Sequence, residues 1–182
     1  LSGIMPLFPS RSEVTGLTTV YTYRISATGV WQYGFYENQR QIGRVSSLVG
    51  PNATTRIEAE GLSWYSRFDM DITVIPGISR RVKANPTGEE VYRLIYWKPG
   101  YYEFVADQPQ GKWTMFAEHR NGRYLFGEQG QPVTAMTERI DSAEWMPVSS
   151  LTVEPYFRTT FYEEVSLPLK MLVLSFPAMR FY

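Results

Sequence analysis

The chain has 182 residues, with 18 basic and 18 acidic side chains, a formal net charge of zero and no cysteine. This length suits one domain, and the balanced charge argues against a dedicated nucleic-acid binder, which would carry a basic excess. The lack of cysteine excludes disulfides, thiolate metal sites and thiol nucleophiles, and it fits a cytoplasmic protein.

The chain begins with a segment that we expect to be an extended arm. Residues 1–17 contain two prolines, two glycines and scattered charges, a composition typical of chain ends that pack weakly. The first residues lack the basic region and the long apolar run of a secretory signal. No linker rich in Gly, Ser or Pro follows, so residues 18–182 are predicted to form a single domain.

A long series of short, aromatic-rich segments then predicts β-structure. Aromatic residues make up 15% of the chain, and they favour pleated, half-buried surfaces. Turn signals recur about every 8–12 residues, as in all-β sandwiches and barrels; Asn121-Gly122 is the strongest of them. The predicted strands are residues 18–25, 30–36, 41–48, 54–60, 62–68, 70–75, 78–84, 90–97, 101–105, 113–118, 123–126, 133–140 and 151–161.

The C-terminal segment is the most apolar part of the chain and predicts a buried helix near residues 166–176. Pro168 suits the first helical turn, and Pro177 is expected to end the helix. A buried strand over residues 171–176 is the competing interpretation. The apolar run is shorter than the roughly 20 residues that span a bilayer, and Lys170 interrupts it, so no transmembrane segment is predicted.

These elements predict an all-β fold with one helix. About twelve antiparallel strands are expected to form a barrel that closes around the hydrophobic C-terminal helix. A helix that is apolar on nearly every side needs an apolar enclosure, and a barrel of many strands has room for one.

Three stretches resemble the local patterns of the tubby C-terminal-like superfamily. They are Val91–Leu94 with Tyr101–Phe104, Gly122–Val133 and Leu169–Phe176. The superfamily includes tubby proteins, phospholipid scramblases and LURP-one-related plant proteins, whose closed barrel surrounds a central hydrophobic helix. The resemblance covers roughly residues 18–182.

The resemblance implies non-enzymatic binding to phospholipid head groups, a membrane surface or a protein partner. Its motifs are loose patterns without a chemical signature. Pro177 and the aromatic ending Phe181-Tyr182 depart from a plain closing helix. No counterpart of the tubby phosphoinositide pocket is identified, so no pocket residue is transferred.

The densest basic patch supplies the predicted binding site. Arg80, Arg81 and Lys83 lie close together in one predicted strand, and Arg40 and Arg44 join them if the hairpins bring these strands close. Such a patch can contact the phosphates of anionic lipids, which would make the protein cytoplasmic and peripheral to membranes. The alternative is an ordinary solvated face. No cofactor, metal site or nucleic-acid partner is predicted.

Two further functions are compared with ordinary structural roles of the same residues. A carbohydrate-binding β-sandwich would need an exposed, coplanar set of tryptophans, whereas such rings more often fill cores; the candidates are Trp31, Trp64, Trp97 and Trp113. An enzyme could use Asp69 and Asp71, which project from one face of a strand, but an exposed strand face explains them as well. His119 lacks an identifiable catalytic partner and is interpreted as a solvated turn residue.

Overall fold

A computed structural model of the chain describes residues 16–27, 30–48, 54–69, 78–140 and 154–179. Within these ranges it contains twelve strands and one helix, α1 (Leu167–Met179). The strands are β1 (Thr18–Ala27), β2 (Val30–Glu37), β3 (Arg40–Leu48), β4 (Thr54–Ala59), β5 (Leu62–Asp69), β6 (Ile78–Asn85), β7 (Glu90–Lys98), β8 (Tyr101–Gln108), β9 (Gly111–Arg120), β10 (Arg123–Gly127), β11 (Ala135–Arg139) and β12 (Glu154–Phe161).

The strands form a closed antiparallel barrel. Each strand pairs with the next one in sequence, and β1 pairs with β12 to close the sheet. The predicted all-β barrel with one C-terminal helix is therefore confirmed, and the sandwich of the carbohydrate alternative is wrong. The predicted strand at residues 70–75 and the first fifteen residues of the expected arm lie outside the described residues.

The helix occupies the interior of the barrel. Nine of its thirteen residues are buried, including Met171, Leu172 and Leu174. Strand side chains alternate in direction, so one set of each strand faces this helix and forms a single apolar cluster with it. A sheet of this many strands encloses more space than its own side chains can fill, and α1 fills that space.

Aromatic rings hold the C-terminal half of α1. The ring of Phe176 lies edge-on to four others, with centroid distances of 4.9 Å to Tyr102, 5.2 Å to Phe104, 5.7 Å to Tyr124 and 5.8 Å to Phe126. Edge-to-face pairs of this kind add about 0.5–1.5 kcal/mol each beyond their area burial. These rings extend from β8 and β10 and fix the position of α1 inside the barrel.

The two ends of the barrel differ in what they contact on the helix. At one end, called the upper end, α1 begins and Lys170 Nζ lies 2.8 Å from Glu37 Oε1. At the other, called the lower end, α1 finishes at Met179 close to the start of β6. Strands β3, β5, β7 and β9 run from the upper to the lower end.

Pro177 lies inside the helix, so the expectation that it would end the helix is wrong. The helix continues to Met179. Proline lacks the N–H that would bond to the carbonyl four residues earlier, yet the helix continues past Pro177, which is buried inside the barrel. Pro168 lies in the first turn, as predicted.

Gly43 allows α1 to approach the barrel wall closely. A Cβ atom at this position would lie 2.7 Å from Met171 Sδ and 2.8 Å from the backbone oxygen of Glu58. Both separations are shorter than normal van der Waals contact, and the Glu58 oxygen belongs to the sheet. The absence of a side chain at Gly43 is therefore a packing requirement.

We expect Gly43→Ala to destabilise the protein by about 1–3 kcal/mol, the usual range for overpacking a core. Ser46→Ala, at a half-buried position on the outer face of the same strand, should change stability by less than about 0.5 kcal/mol. Urea denaturation measures both. An unchanged midpoint for Gly43→Ala would show that the helix can move away from β3 without loss.

Candidate functional site

Arg80 lies inside the barrel, although it belongs to the predicted basic patch. Its residue surface is only 6% exposed. Nη1 donates to the backbone oxygen of Met179 at 2.9 Å, and Nη2 donates to Thr55 Oγ1 at 2.9 Å. Arg80 is therefore not part of a surface patch, because successive side chains of a strand point to opposite faces and this one points inward.

The position of Arg80 explains its role in the fold. The last carbonyls of a helix lack intrahelical partners and carry a partial negative charge, and Arg80 binds the final carbonyl of α1. Burial lowers the pKa of Arg80 to about 10, because desolvation disfavours the charged form. Its hydrogen bonds and the helix dipole offset that cost at neutral pH.

Arg81 and Lys83 lie on the outer face of β6, where three further basic side chains join them. Arg44 on β3, Arg56 on β4 and Arg93 on β7 occupy outward positions of neighbouring strands. We call Arg44, Arg56, Arg81, Lys83 and Arg93 together the basic wall. Its members lie on four strands, β3, β4, β6 and β7, with β5 between β4 and β6.

The register of the sheet aligns these residues in rows. Arg56 and Lys83 flank Tyr65, since Tyr65 is the partner of both. In the next row, Arg81 on β6 lies opposite Arg93 on β7. Like charges that lie directly opposite each other destabilise a sheet, and Glu90, which contacts both arginines, offsets their repulsion.

Two glutamates lie within the basic wall and order its arginines. Arg44 donates through Nε and Nη2 to one oxygen of Glu58, at 2.9 and 2.7 Å, and Arg56 lies 3.8 Å from the other oxygen. Glu90 has Arg81 at 3.4 Å and Arg93 at 3.5 Å. Each carboxylate thus lies between two arginines and leaves a net positive charge.

The outward arginines retain capacity to bind anions. A guanidinium has five N–H donors, and the Arg56 guanidinium lies 3.8 Å from one carboxylate oxygen of Glu58. The Arg56 side chain is 60% exposed. A shallow groove of about 570 Å³ borders the wall, and its lining includes Arg44, Arg56 and Leu62. The positive charge and the paired N–H donors of arginine side chains match the oxygens of a phosphate group.

Arg40 lies at the margin of this surface. It starts β3 at the upper end of the barrel, opposite Glu37 in register. Arg44 follows four residues later, about 13 Å further along the strand. The structure therefore brings Arg44, Arg81 and Lys83 onto one wall, places Arg40 beyond its upper edge and buries Arg80.

The described tryptophans do not form a carbohydrate platform. Trp64 is buried in the core. Trp113 packs against that core from β9, with its ring centroid 6.0 Å from that of Tyr92. Trp97 is 40% exposed, and the side chain of Trp31 lies outside the described residues.

The described structure does not bring the polar residues considered for catalysis together in one site. Asp71 lies outside the described residues, and only the backbone of Asp69, at the end of β5, is described. His119 is exposed, with its ring centroid 4.6 Å from that of Tyr124. In the described part of the chain, no group of three or more His, Asp or Glu side chains could hold a metal ion.

Two members of the basic wall, Arg56 and Arg93, were missed by the sequence reasoning. Strand alternation could have predicted that both side chains point outward. The residues on either side of each one face inward and are buried: Thr55, Ile57, Tyr92 and Leu94. The cross-strand neighbours of Arg56 and Arg93 could not be predicted in this way, because the long connections between β3 and β4 and between β5 and β6 do not fix register as a short turn does. The helix-capping role of Arg80 was missed because its partner, Met179, is 99 residues away in the chain.

No family model, curated protein or solved structure matches this chain. Among the described residues, no helix is long and apolar enough to cross a membrane.

We expect Arg80→Lys to destabilise the protein by about 1.5–3 kcal/mol, because lysine keeps a buried charge but cannot bind both acceptors through a planar fork. Arg81→Lys, on the next residue but facing outward, is the matched control and should stay within about 0.5 kcal/mol of the native protein. Thermal or urea denaturation distinguishes them. Equal effects would contradict the capping role of Arg80.

Proposed function

We propose that this protein is a non-enzymatic, tubby-like binding module that docks on anionic phospholipid surfaces through its basic wall. The net positive charge of the basic wall carries the proposal. Its five basic side chains are accompanied by two glutamates, Glu58 and Glu90, so a surplus of positive charge remains on this face. Charge of one sign on a surface raises the local concentration of ions of the opposite sign.

The filled interior supports an external binding surface. Central helix residues such as Leu172 and Leu174 are 1% exposed, so the lumen holds protein where a lipocalin-type barrel would hold a ligand. A ligand must therefore contact the outer wall or the ends of the barrel.

The chemistry of the wall suits lipid head groups. Arginine donors match phosphate oxygens in pairs, and the negative potential of a cytoplasmic leaflet attracts basic side chains near its surface. Tyr65 lies between Arg56 and Lys83 and is only half-buried. Tyrosine suits such a boundary because its ring is apolar and its hydroxyl is polar. The protein would accordingly be cytoplasmic and bind membranes peripherally.

We expect the protein to co-sediment with vesicles of phosphatidylcholine and phosphatidylserine, and to be released by high salt. Each basic residue near an anionic surface contributes about 1 kcal/mol. The double variant Arg56→Ala, Lys83→Ala should therefore bind roughly 30-fold more weakly. Vesicle co-sedimentation over a range of lipid concentrations measures this change.

The matched control is Lys112→Ala, Arg139→Ala. It removes the same charge from exposed positions on β9 and β11, which lie away from β3 to β7 in the barrel. We expect its binding to stay within about twofold of the native protein, since charges beyond roughly 10 Å of the surface are screened. An equal loss for both double variants would contradict the basic wall as the docking face. Absence of native binding would contradict the proposed function.

A further inference from the structure

An exposed leucine lies at the upper end of the barrel, beside the basic wall. Leu62 is the first residue of β5 and is 53% exposed. It belongs to the same alternating set of side chains as Trp64, which is buried in the core. Leu62 stays exposed because it lies at the rim of the barrel, where β5 begins.

The groove beside the basic wall combines apolar and basic side chains. Leu62 lines it together with Ile42, which is half-buried on β3. Arg44 and Arg56 line the same groove. Peripheral proteins bind anionic bilayers through this combination, because apolar side chains enter the interface while basic side chains are attracted to the lipid charge. The groove is therefore the part of the wall best suited to contact with a bilayer.

The cross-strand register places Leu62 close to the upper rows of the basic wall. Arg44 and Glu58 face each other in the row that contains the next residue of β5. Arg56 and Lys83 lie in a row two residues further along that strand, about 10 Å from the level of Leu62. A bilayer that covers these rows is therefore within reach of Leu62.

The other exposed apolar side chains lie farther from these rows. Trp97 follows Arg93 by four residues on β7 and lies at the lower end of the barrel, about 20 Å along the strands from the level of Arg56. Leu17 precedes β1, and the described lining of its surface depression has one charged side chain, Glu37. Neither of them lies beside two members of the basic wall, as Leu62 does.

A tight turn holds Leu62 in place. Glu60 and Gly61 connect β4 to β5, with φ angles of 50° and 75°. Positive φ at both central positions is typical of a type I′ turn, whose twist matches that of the flanking strands. Leu62 is the register partner of Ala59 across this turn. The side chain is thus presented by a paired strand, and little ordering entropy is lost when it makes a contact.

A carboxylate beside Leu62 opposes contact with anionic lipids. Glu58 lies between Arg44 and Arg56, so its charge is offset. Glu60 is exposed in the turn itself, and anionic head groups repel such a charge. Glu60 is therefore a local probe, because its neutralisation strengthens binding only if the turn approaches the bilayer.

We propose that the β4–β5 hairpin enters the interfacial region of an anionic bilayer, with Leu62 in the interface and the upper rows of the basic wall on the head groups. This inference rests on the proposed function and adds an orientation to it. The upper end of β4 and β5 faces the membrane, and the lower end of the barrel, including Trp97, faces away.

Site-specific fluorescence tests this orientation, because the chain contains no cysteine and each introduced thiol is labelled uniquely. The environment-sensitive fluorophore NBD is attached to Leu62→Cys, and to Leu17→Cys and Trp97→Cys as controls. All three native side chains are at least 40% exposed, so these substitutions leave the core intact. The probe membrane is a vesicle of phosphatidylcholine and phosphatidylserine. We expect a several-fold increase and a blue shift of NBD emission at position 62, with quenching by nitroxide-labelled lipids, and no change at positions 17 and 97.

Two pairs of matched variants test the same contact by co-sedimentation. Leu62→Ala should weaken binding roughly fivefold through the loss of apolar burial, whereas Leu17→Ala should stay within about twofold of the native protein. Glu60→Gln should strengthen binding roughly fivefold. Its control is Glu128→Gln, between β10 and β11 on the opposite side of the barrel, which keeps an acceptor for Trp113 Nε1. We expect the control to change binding by less than about twofold, since distant charges are screened.

The outcomes separate this inference from the proposed function. Normal co-sedimentation without a change at position 62 would overturn the insertion of the hairpin and leave the basic wall as the docking face. A response at position 17 or 97 without one at position 62 would overturn the orientation. Equal effects of Glu60→Gln and Glu128→Gln would contradict a local contact at the hairpin. If the native protein does not co-sediment with anionic vesicles, both the inference and the proposed function are wrong.

Discussion

The space inside a barrel of twelve strands is the constraint on which this structure depends. A closed sheet of that size must be filled, and the final helix of the chain fills it. Apolar contacts hold the helix along its length, and one polar contact is made near each end: Lys170 with Glu37 at 2.8 Å, and Met179 O with Arg80 at 2.9 Å. Together with the rings around Phe176, these polar contacts fix the position of the helix along the barrel.

The filled interior also determines where binding can occur. Because side chains alternate along a strand, the basic residues of β6 have two roles. Arg80 points inward and caps the helix. Arg81 and Lys83 point outward and belong to the basic wall. Adjacent residues in sequence therefore serve stability and the proposed recognition separately. The closed sheet then brings outward residues of β3, β4 and β7 beside them, which gives the wall a charge density that no single strand contains.

Much of the fold could be predicted because its signals are local. Alternating residues and turn sequences identified all twelve described strands, and a segment that is apolar on every side identified the buried helix. Pro177 misled the prediction of the helix end, since a local rule about proline was overridden by packing inside the barrel. Arg80 was misplaced for a different reason. Neighbouring basic residues were treated as one patch, although a period of two residues already assigned them to opposite faces.

The sequence by itself determined the strands, the apolar helix and the absence of cysteine chemistry, because each depends on residue type and short-range spacing. Only the tertiary structure decided that Arg56, Lys83 and Arg93 share a wall with Arg44 and Arg81, and that Arg80 binds the last carbonyl of the helix 99 residues away. Short turns fix the register of tight hairpins such as β4–β5, but the long connections between β3 and β4 and between β5 and β6 do not. Register across those connections and the depth of the helix therefore depend on contacts between distant parts of the chain.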